Sequence, residues 1–364
     1  MPPELPLTRP PERLCLVRLS ALGDVTHVLP IVHTLRHVWP QTRLTWLIGA
    51  REAELVEGLP DVELIRLDKS AGWRGYRDLG RELRGRRFDV LLQLQVAMRA
   101  HLASLFVRAP LRLGYDPVRS RDLHRLFVNR RIPHRDREHV LDGHFGFLEQ
   151  LGITERVLDW HVPIPEADTH KAAELLPGDQ PTLLISPGAS NPLRNWRPER
   201  YAAVADAAVR DYGMRVVFTG GPSDTERDLG QAIERHMTTN RPINLIGQLS
   251  LKGTLAVMAR ATALVSPDSG PAHMAALVDL PVIGLYAVMN LHRTGPYQSI
   301  RHCVDAYPIA AERFLGQSAD ELPWGKRVEH AGAMDCITVA MVTERLAGIM
   351  TERANQPDEP PVTG

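Results

Sequence analysis

Cysteine is scarce. Cys15, Cys303 and Cys336 are the only three in 364 residues, far apart and without CxxC or Cys/His ligand spacing. That excludes a disulfide scaffold and a structural zinc site, and makes a reducing cytoplasm the simplest setting. An excess of charge of either sign is also missing, because 43 Lys and Arg face 43 Asp and Glu. A neutral protein has no global field with which to gather nucleic acid, so no nucleic acid is expected as a partner. Long apolar runs are absent too. Nowhere do 18 apolar residues follow one another, and the opening MPPELPLTRPPER is proline and charge where a secretory leader needs an apolar stretch. No membrane-spanning helix is expected, which leaves association with a membrane surface open. Neither GxGxxG nor GxxxxGK(S/T) occurs, against a dinucleotide enzyme or a P-loop NTPase. HExxH, GxSxG and a DxD-type acidic pair are lacking as well, so no metal site is expected.

What is present is ordinary globular material, 44% apolar and 24% charged. The chain is too long for one hydrophobic core of usual size, so two domains are expected. Continuous apolar runs read as buried strands at Leu14–Leu19, Leu44–Ile48, Val62–Leu67 and Phe88–Leu94. Between them lie a turn at Ser20–Asp24 and amphipathic helices at Val28–Val38 and Arg74–Arg84. The polar, proline-punctuated Pro163–Gln180 reads as a linker. Strands then resume at Thr182–Ser186, Arg215–Thr219, Ile243–Ile246, Ala263–Ser266 and Val282–Leu285. The helices expected with them are Pro198–Tyr212, Thr225–His236, Leu251–Arg260 and Pro271–Val278. Strands alternating with helices imply parallel sheets covered on both faces. The fold class is therefore α/β, with an N-terminal domain over 1–170, a C-terminal domain over 171–350 and a flexible tail over 351–364. Open α/β sheets bind ligands at the carboxyl ends of their strands, so the active site is expected in a cleft between the two domains.

Four loops at such strand ends carry candidate chemistry. In Ser266–Ala276 (SPDSGPAHMAA) a strand gives way to a helix through Asp268, Ser269 and Gly270, with Pro271 in the first turn and His273 close behind. Exposed amides and a helix dipole suit a diphosphate there. The alternative is that Asp268 or Ser269 is an N-cap and His273 a half-buried helix residue. Ser186–Trp196 (SPGASNPLRNW) offers small residues, the Ser190 hydroxyl and the Arg194 fork for phosphate oxygens, or else is a solvated turn. After Thr219-Gly220-Gly221, Asp224 can accept from ribose hydroxyls or simply cap the next helix. In the first domain, Gly23-Asp24 occupies the loop after the first strand. Asp24 there is either a base for an incoming hydroxyl or another cap. Nine arginines and only three aspartates lie from Arg108 to Arg137, with His124 and His134 among them and His139 just beyond. This local cationic stretch fits an anionic partner, a phosphorylated glycolipid or the membrane surface carrying it, or else is solvated loop. Trp73, Trp160 and Trp324 read equally as core or as surface anchors.

RLSALGDVTHVLP at Arg18–Pro30, ISPGASNPLRNWRPERY at Ile185–Tyr201, FTGGPSDTER at Phe218–Arg227 and the long stretch from Ile243 to Tyr286 with LSLKG and PDSGPAHMAA occur in one order. With these segments the chain resembles glycosyltransferase family 9, the lipopolysaccharide heptosyltransferases, over nearly its whole length. The resemblance implies the GT-B fold, two Rossmann-like doubly wound domains facing a central cleft, with acceptor on the first and nucleotide sugar on the second. It implies Asp24 as general base and Arg194 as the cation at the departing diphosphate. Ser190, Asp268, Ser269, Gly270 and His273 would line the donor's phosphate and sugar, with Asp224 at the ribose and Leu249 beside the adenine. Arg194 stands where heptosyltransferases often have lysine, which keeps the charge but changes its geometry. The implied donor is ADP-heptose, a substrate rather than a cofactor. The implied acceptor is an anionic glycolipid of the lipopolysaccharide inner core, met in the cytoplasm with peripheral contact at the inner membrane. The competing readings are a GT-B transferase or epimerase using another nucleotide sugar, and a noncatalytic sugar-nucleotide binder. A base in the domain opposite the donor loops speaks against the last.

Overall fold

The structure is a computed structural model and describes residues 3–355. The chain divides into two units, with the boundary between Pro163 and Ile164. The Pro163–Gln180 stretch is not an open linker, because Glu166–Leu175 is a helix belonging to the second unit.

The first unit builds one parallel sheet from β1 (Arg13–Val17), β2 (Arg43–Gly49), β3 (Val62–Leu67), β4 (Val90–Gln93), β5 (Leu111–Gly114) and β6 (Arg130–Arg131). Their order is β3-β2-β1-β4-β5-β6. The central β1 pairs Cys15 with Thr45 on one side and Leu91 on the other. Its RLCLV and the VLLQ of β4 are buried almost throughout, which is why both read as unbroken apolar runs. One departure from the expected elements matters for the site. The Ser20–Asp24 turn is in part a helix, Leu22–Thr26, running just ahead of the helix Leu29–Val38.

The second unit repeats the plan with β7 (Thr182–Ile185), β8 (Arg215–Phe218), β9 (Ile243–Asn244), β10 (Ala263–Pro267), β11 (Val282–Tyr286) and β12 (Val304–Asp305), ordered β12-β11-β10-β7-β8-β9. In each unit the chain changes winding direction at one point, between β1 and β4 or between β7 and β10. Such a switch point opens a crevice at the carboxyl ends of its two strands. Trp196 is buried in this unit's core, edge-on to Tyr201 at 5.1 Å, and its indole donates to the Ile337 carbonyl at 3.1 Å. That contact anchors the Arg194 loop to the segment leading into the last helix, Val339–Asn355. The expected tail is therefore helical through Asn355, and residues 356–364 lie outside the described residues. Of the three undecided tryptophans, Trp160 is core, Trp324 half-buried and Trp73 exposed.

Candidate active site

At the first unit's switch point the chain leaves β1 through Arg18. Its guanidinium donates to the Leu94 carbonyl beyond β4 at 2.6 Å and meets Asp24 Oδ2 at 2.6 Å. Leu19 N–H donates to Gln95 Oε1 at 2.7 Å, tying the same two loops. Asp24 sits in the first turn of the Leu22–Thr26 helix, and Oδ2 also accepts the Ala21 amide at 3.0 Å. The helix-cap reading and the base reading thus share one side chain. Cap and ion pair both fall on Oδ2, while Oδ1 accepts no hydrogen bond among the described residues and the side chain remains 39% exposed. Burial works to raise the Asp24 carboxyl, but the Arg18 charge and the Ala21 amide outweigh it and hold it below the ordinary aspartate value. The group is an anion at neutral pH. Beneath it, His144 is fully buried, with Nδ1 3.4 Å from the His27 carbonyl and Nε2 unpaired. Burial, with the Arg18 charge, pushes His144 down to about 3, so it stays neutral.

At the second switch point, the loop after β7 and the loop after β10 are joined by an equivalent pair. Arg194 Nη1 lies 3.1 Å from both the carbonyl and Oδ2 of Asp268. Asp268 Oδ1 accepts from Tyr286 at 3.4 Å, and His273 Nε2 stands 3.6 Å from it. Burial, reinforced by the Asp268 charge, raises the Tyr286 phenol well above its usual range and keeps it a donor. Ser269 occupies the cap position of the Gly270–Met274 helix, yet its hydroxyl turns back to Ser266 Oγ at 3.0 Å. Neither Asp268 nor Ser269 therefore caps this helix with its side chain. Pro271 brings no N–H, and the Gly270 amide has no intrahelical acceptor. Around this edge the Ser186 and Thr219 hydroxyls and Arg194 Nε are buried without a hydrogen-bond partner among the described residues. Ser186 and Thr219 directly follow the neighbouring strands β7 and β8 and Arg194 lies on the loop after β7, and each such atom left unpaired costs about 1–3 kcal/mol, which a polar ligand could offset.

Other expected residues are less closely gathered. Ser190 is exposed and Leu249 half-buried just ahead of Ser250, the cap of the Leu251–Met258 helix. Asp224 does not cap its helix, because Ser223 takes that role by accepting from the Glu226 amide at 3.2 Å. Asp224 is 92% exposed, with Arg227 at 2.8 Å as its partner. Glu226, which sequence reasoning passed over, fills the space between the loops. A Cβ at Gly188 would lie 2.6 Å from its Cγ, and one at Gly221 2.7 Å from its Oε2. The legible signal for it is the capping box Ser223-x-x-Glu226 directly behind Gly220-Gly221. In the cationic stretch, Arg112 is spent on the carbonyls of Ser104, Val107 and Phe127, Arg119 on Asp116 and Glu138, and Arg135 on Glu149. His124 and His139 are buried. For these side chains the reading as ion pairs and hydrogen bonds within the fold applies. Among the described residues no cluster of three or more His, Cys, Asp or Glu is arranged to hold a metal, and no helix is long and apolar enough to cross a membrane.

Residues 76–318 match the profile of glycosyltransferase family 9 (heptosyltransferase). The chain is 37% identical over 337 residues to the lipopolysaccharide core heptosyltransferase OpsX of Haemophilus influenzae, covering 92% of this chain and 96% of that one. Among solved structures it resembles a family 9 glycosyl transferase from Veillonella parvula, with TM-score 0.77, 25% identity and coverage of 94% and 97%. It also shares the fold of Escherichia coli ADP-heptose lps heptosyltransferase II, with TM-score 0.72, 20% identity and coverage of 94% and 99%. Two doubly wound sheets of this order in one chain are the GT-B class of α/β fold. On the profile match and the extent of the OpsX similarity, this chain belongs to glycosyltransferase family 9, the heptosyltransferases.

Proposed function

We propose that this chain moves a heptose from ADP-heptose to an inner-core acceptor of lipopolysaccharide, with inversion at the anomeric carbon and without a metal ion. The acceptor is an anionic glycolipid, met at the cytoplasmic face of the inner membrane. The names of the similar OpsX and heptosyltransferase II supply the donor and acceptor classes. The single observation on which the chemistry rests is Asp24: an aspartate held ionised at a sheet switch point, with Oδ1 open to take a proton.

Asp24 removes the proton from the acceptor hydroxyl as that oxygen attacks the anomeric carbon, through an oxocarbenium-like state. One displacement inverts the configuration and expels ADP. Charge grows on the departing diphosphate, and Arg194 with the Gly270 amide lies where it can be met. The buried unpaired Ser186 and Thr219 hydroxyls supply further donors in the second unit. Ser190, Ser269 and His273 complete the phosphate and sugar contacts, while Leu249 lies beside the adenine. Asp224 meets the ribose, with Glu226 a second carboxylate for the same hydroxyls. The test is Asp24→Ala assayed for heptosyl transfer and, separately, for ADP binding. Turnover is expected to collapse with ADP affinity retained; wild-type rates would remove Asp24 from the role.

A further inference from the structure

Between β5 and β6 of the first unit, the segment from Pro117 to Leu126 shows solvent an apolar ridge. Val118 is 72% exposed, Leu123 61% and Leu126 67%. His124 points the other way, buried, with Nε2 accepting the Tyr115 amide at 3.0 Å. That anchor forces the leucines outward. Leu123 holds a left-handed φ of 59°, and the Leu126 amide closes a 3-10 turn onto its carbonyl at 2.9 Å. Residues i and i+3 eclipse in such a turn, so both leucines share one outward face. A left-handed leucine is sterically unfavourable, and here the strain brings no burial within the unit.

The ridge is set among cations. Arg121 and Arg125 are exposed on the same segment, and Arg99 is exposed in the helix beginning at Met98, whose amide donates to Asp122 at 3.1 Å. None of the three arginines has a carboxylate within ion-pair distance among the described residues, and Arg121 Nε donates only to the Val96 carbonyl. Asp122, the one acid of the segment, is engaged by the Met98 amide. Three exposed apolar side chains beside three unneutralised guanidinium groups match an interface that is oily at one depth and anionic at the next. A second copy of the chain fits poorly, since a two-fold contact would set the arginines against each other. We propose that this ridge docks on an anionic phospholipid bilayer, leucines at acyl depth and arginines on lipid phosphates. It rests on the reading of the acceptor as a glycolipid, and it lies beyond the carboxyl end of β5, on the sheet edge that also carries Asp24.

The experiment is flotation of the full chain with vesicles of phosphatidylglycerol and phosphatidylcholine, and with phosphatidylcholine alone, at low and high salt. Two variants accompany it: Leu123→Asn with Leu126→Asn, and Arg121→Gln with Arg125→Gln. Asparagine tolerates a left-handed φ, so the first pair keeps the turn. Wild type is expected on anionic vesicles only, released by salt. Binding should fall about tenfold for the leucine pair and roughly fivefold per arginine for the other. Transfer to a water-soluble acceptor without acyl chains should be unchanged in both. Wild-type vesicle binding by the variants, or a leucine-dependent dimer in place of vesicle binding, overturns the proposal. Ridge-dependent vesicle binding by a wild-type chain that transfers no heptose to any acceptor upholds the docking surface and rejects the transferase reading.

Discussion

Asp24→Asn separates catalysis from folding at one atom. The asparagine side chain still presents a carbonyl oxygen to the Ala21 amide, so the 3.0 Å cap survives. What disappears is the charge opposite Arg18. Asp24 is 39% exposed, so solvent screens that pair and its loss costs at most about 1 kcal/mol of stability. Losing a general base, by contrast, lowers turnover about 10²–10⁴-fold, roughly 3–5 kcal/mol of barrier. The expected result is a variant that unfolds in urea near the wild-type midpoint, binds ADP as wild type does, and releases ADP from ADP-heptose and acceptor at least a hundredfold more slowly in a coupled assay. The pH dependence carries a sign. Although burial opposes it, Arg18 and Ala21 hold the carboxyl below its ordinary value. The pair's stabilisation is present above the unfolded aspartate value and is lost as pH falls through the lower folded one. The acid limb of kcat/KM in the wild type therefore lies below the ordinary aspartate range, and the variant lacks it. Turnover within tenfold of wild type, or a loss of rate matched by an equal loss of stability, refutes the assignment.

Arg194→Ala should weaken ADP binding about 10- to 100-fold, the worth of a charge-assisted phosphate contact, with Arg194→Lys between the two; calorimetry reads it. His144 and His124 are buried and neutral, pushed down by burial to about 3 and about 4. The unfolded chain binds their protons first as pH falls below the ordinary histidine value, so each removes roughly 1.4 kcal/mol of stability per pH unit between about pH 6 and pH 4. Urea denaturation at stepped pH should show this slope, reduced in His144→Gln. Arg112→Met should destabilise by about 3–5 kcal/mol in the same measurement, because its guanidinium donates to three carbonyls and the Ser104 hydroxyl at 2.7–3.0 Å.

The strands were legible where burial is two-sided. The fully buried β7 begins at the Thr182 its apolar run suggests, and the helix Pro198–Tyr212 has the bounds of its pattern, because an apolar run or a 3.6-residue stripe is itself the record of what is buried. The two-residue strands β6 and β12 are too short to carry a pattern, and β6 is two arginines, while β9 ends two residues before the expected Ile246. The Leu22–Thr26 helix hid behind Gly23-Asp24, since a short first turn capped by its own aspartate has the composition of a loop. In the site, loop chemistry revealed Arg194 and Asp268 separately. Their contact spans 74 residues and exists only because β7 and β10 are neighbours. The arginines between Arg108 and Arg137 look alike in sequence. Arg112 finds carbonyls and Arg125 finds solvent because the fold decides which guanidinium lies beside a chain end.

Each unit places an arginine and an aspartate at its switch point, and the surroundings give the two aspartates different work. Asp268 is nearly enclosed: Arg194 holds Oδ2, while Tyr286 and His273 face Oδ1. Both of its oxygens thus already face donors of the second unit. Its effect is to orient Arg194, whose Nε stays unpaired for an anion. Asp24 has both of its donors on Oδ2 and none on Oδ1 among the described residues. Each carboxylate oxygen carries two lone pairs, and a base accepts a proton best through the oxygen with fewer donors already on it. The contrast supports the proposal that Asp24 of the first unit is the base and that the second unit holds the anion. A neutral isostere at position 268 should then be read out as a change in donor affinity, and one at position 24 as a change in turnover.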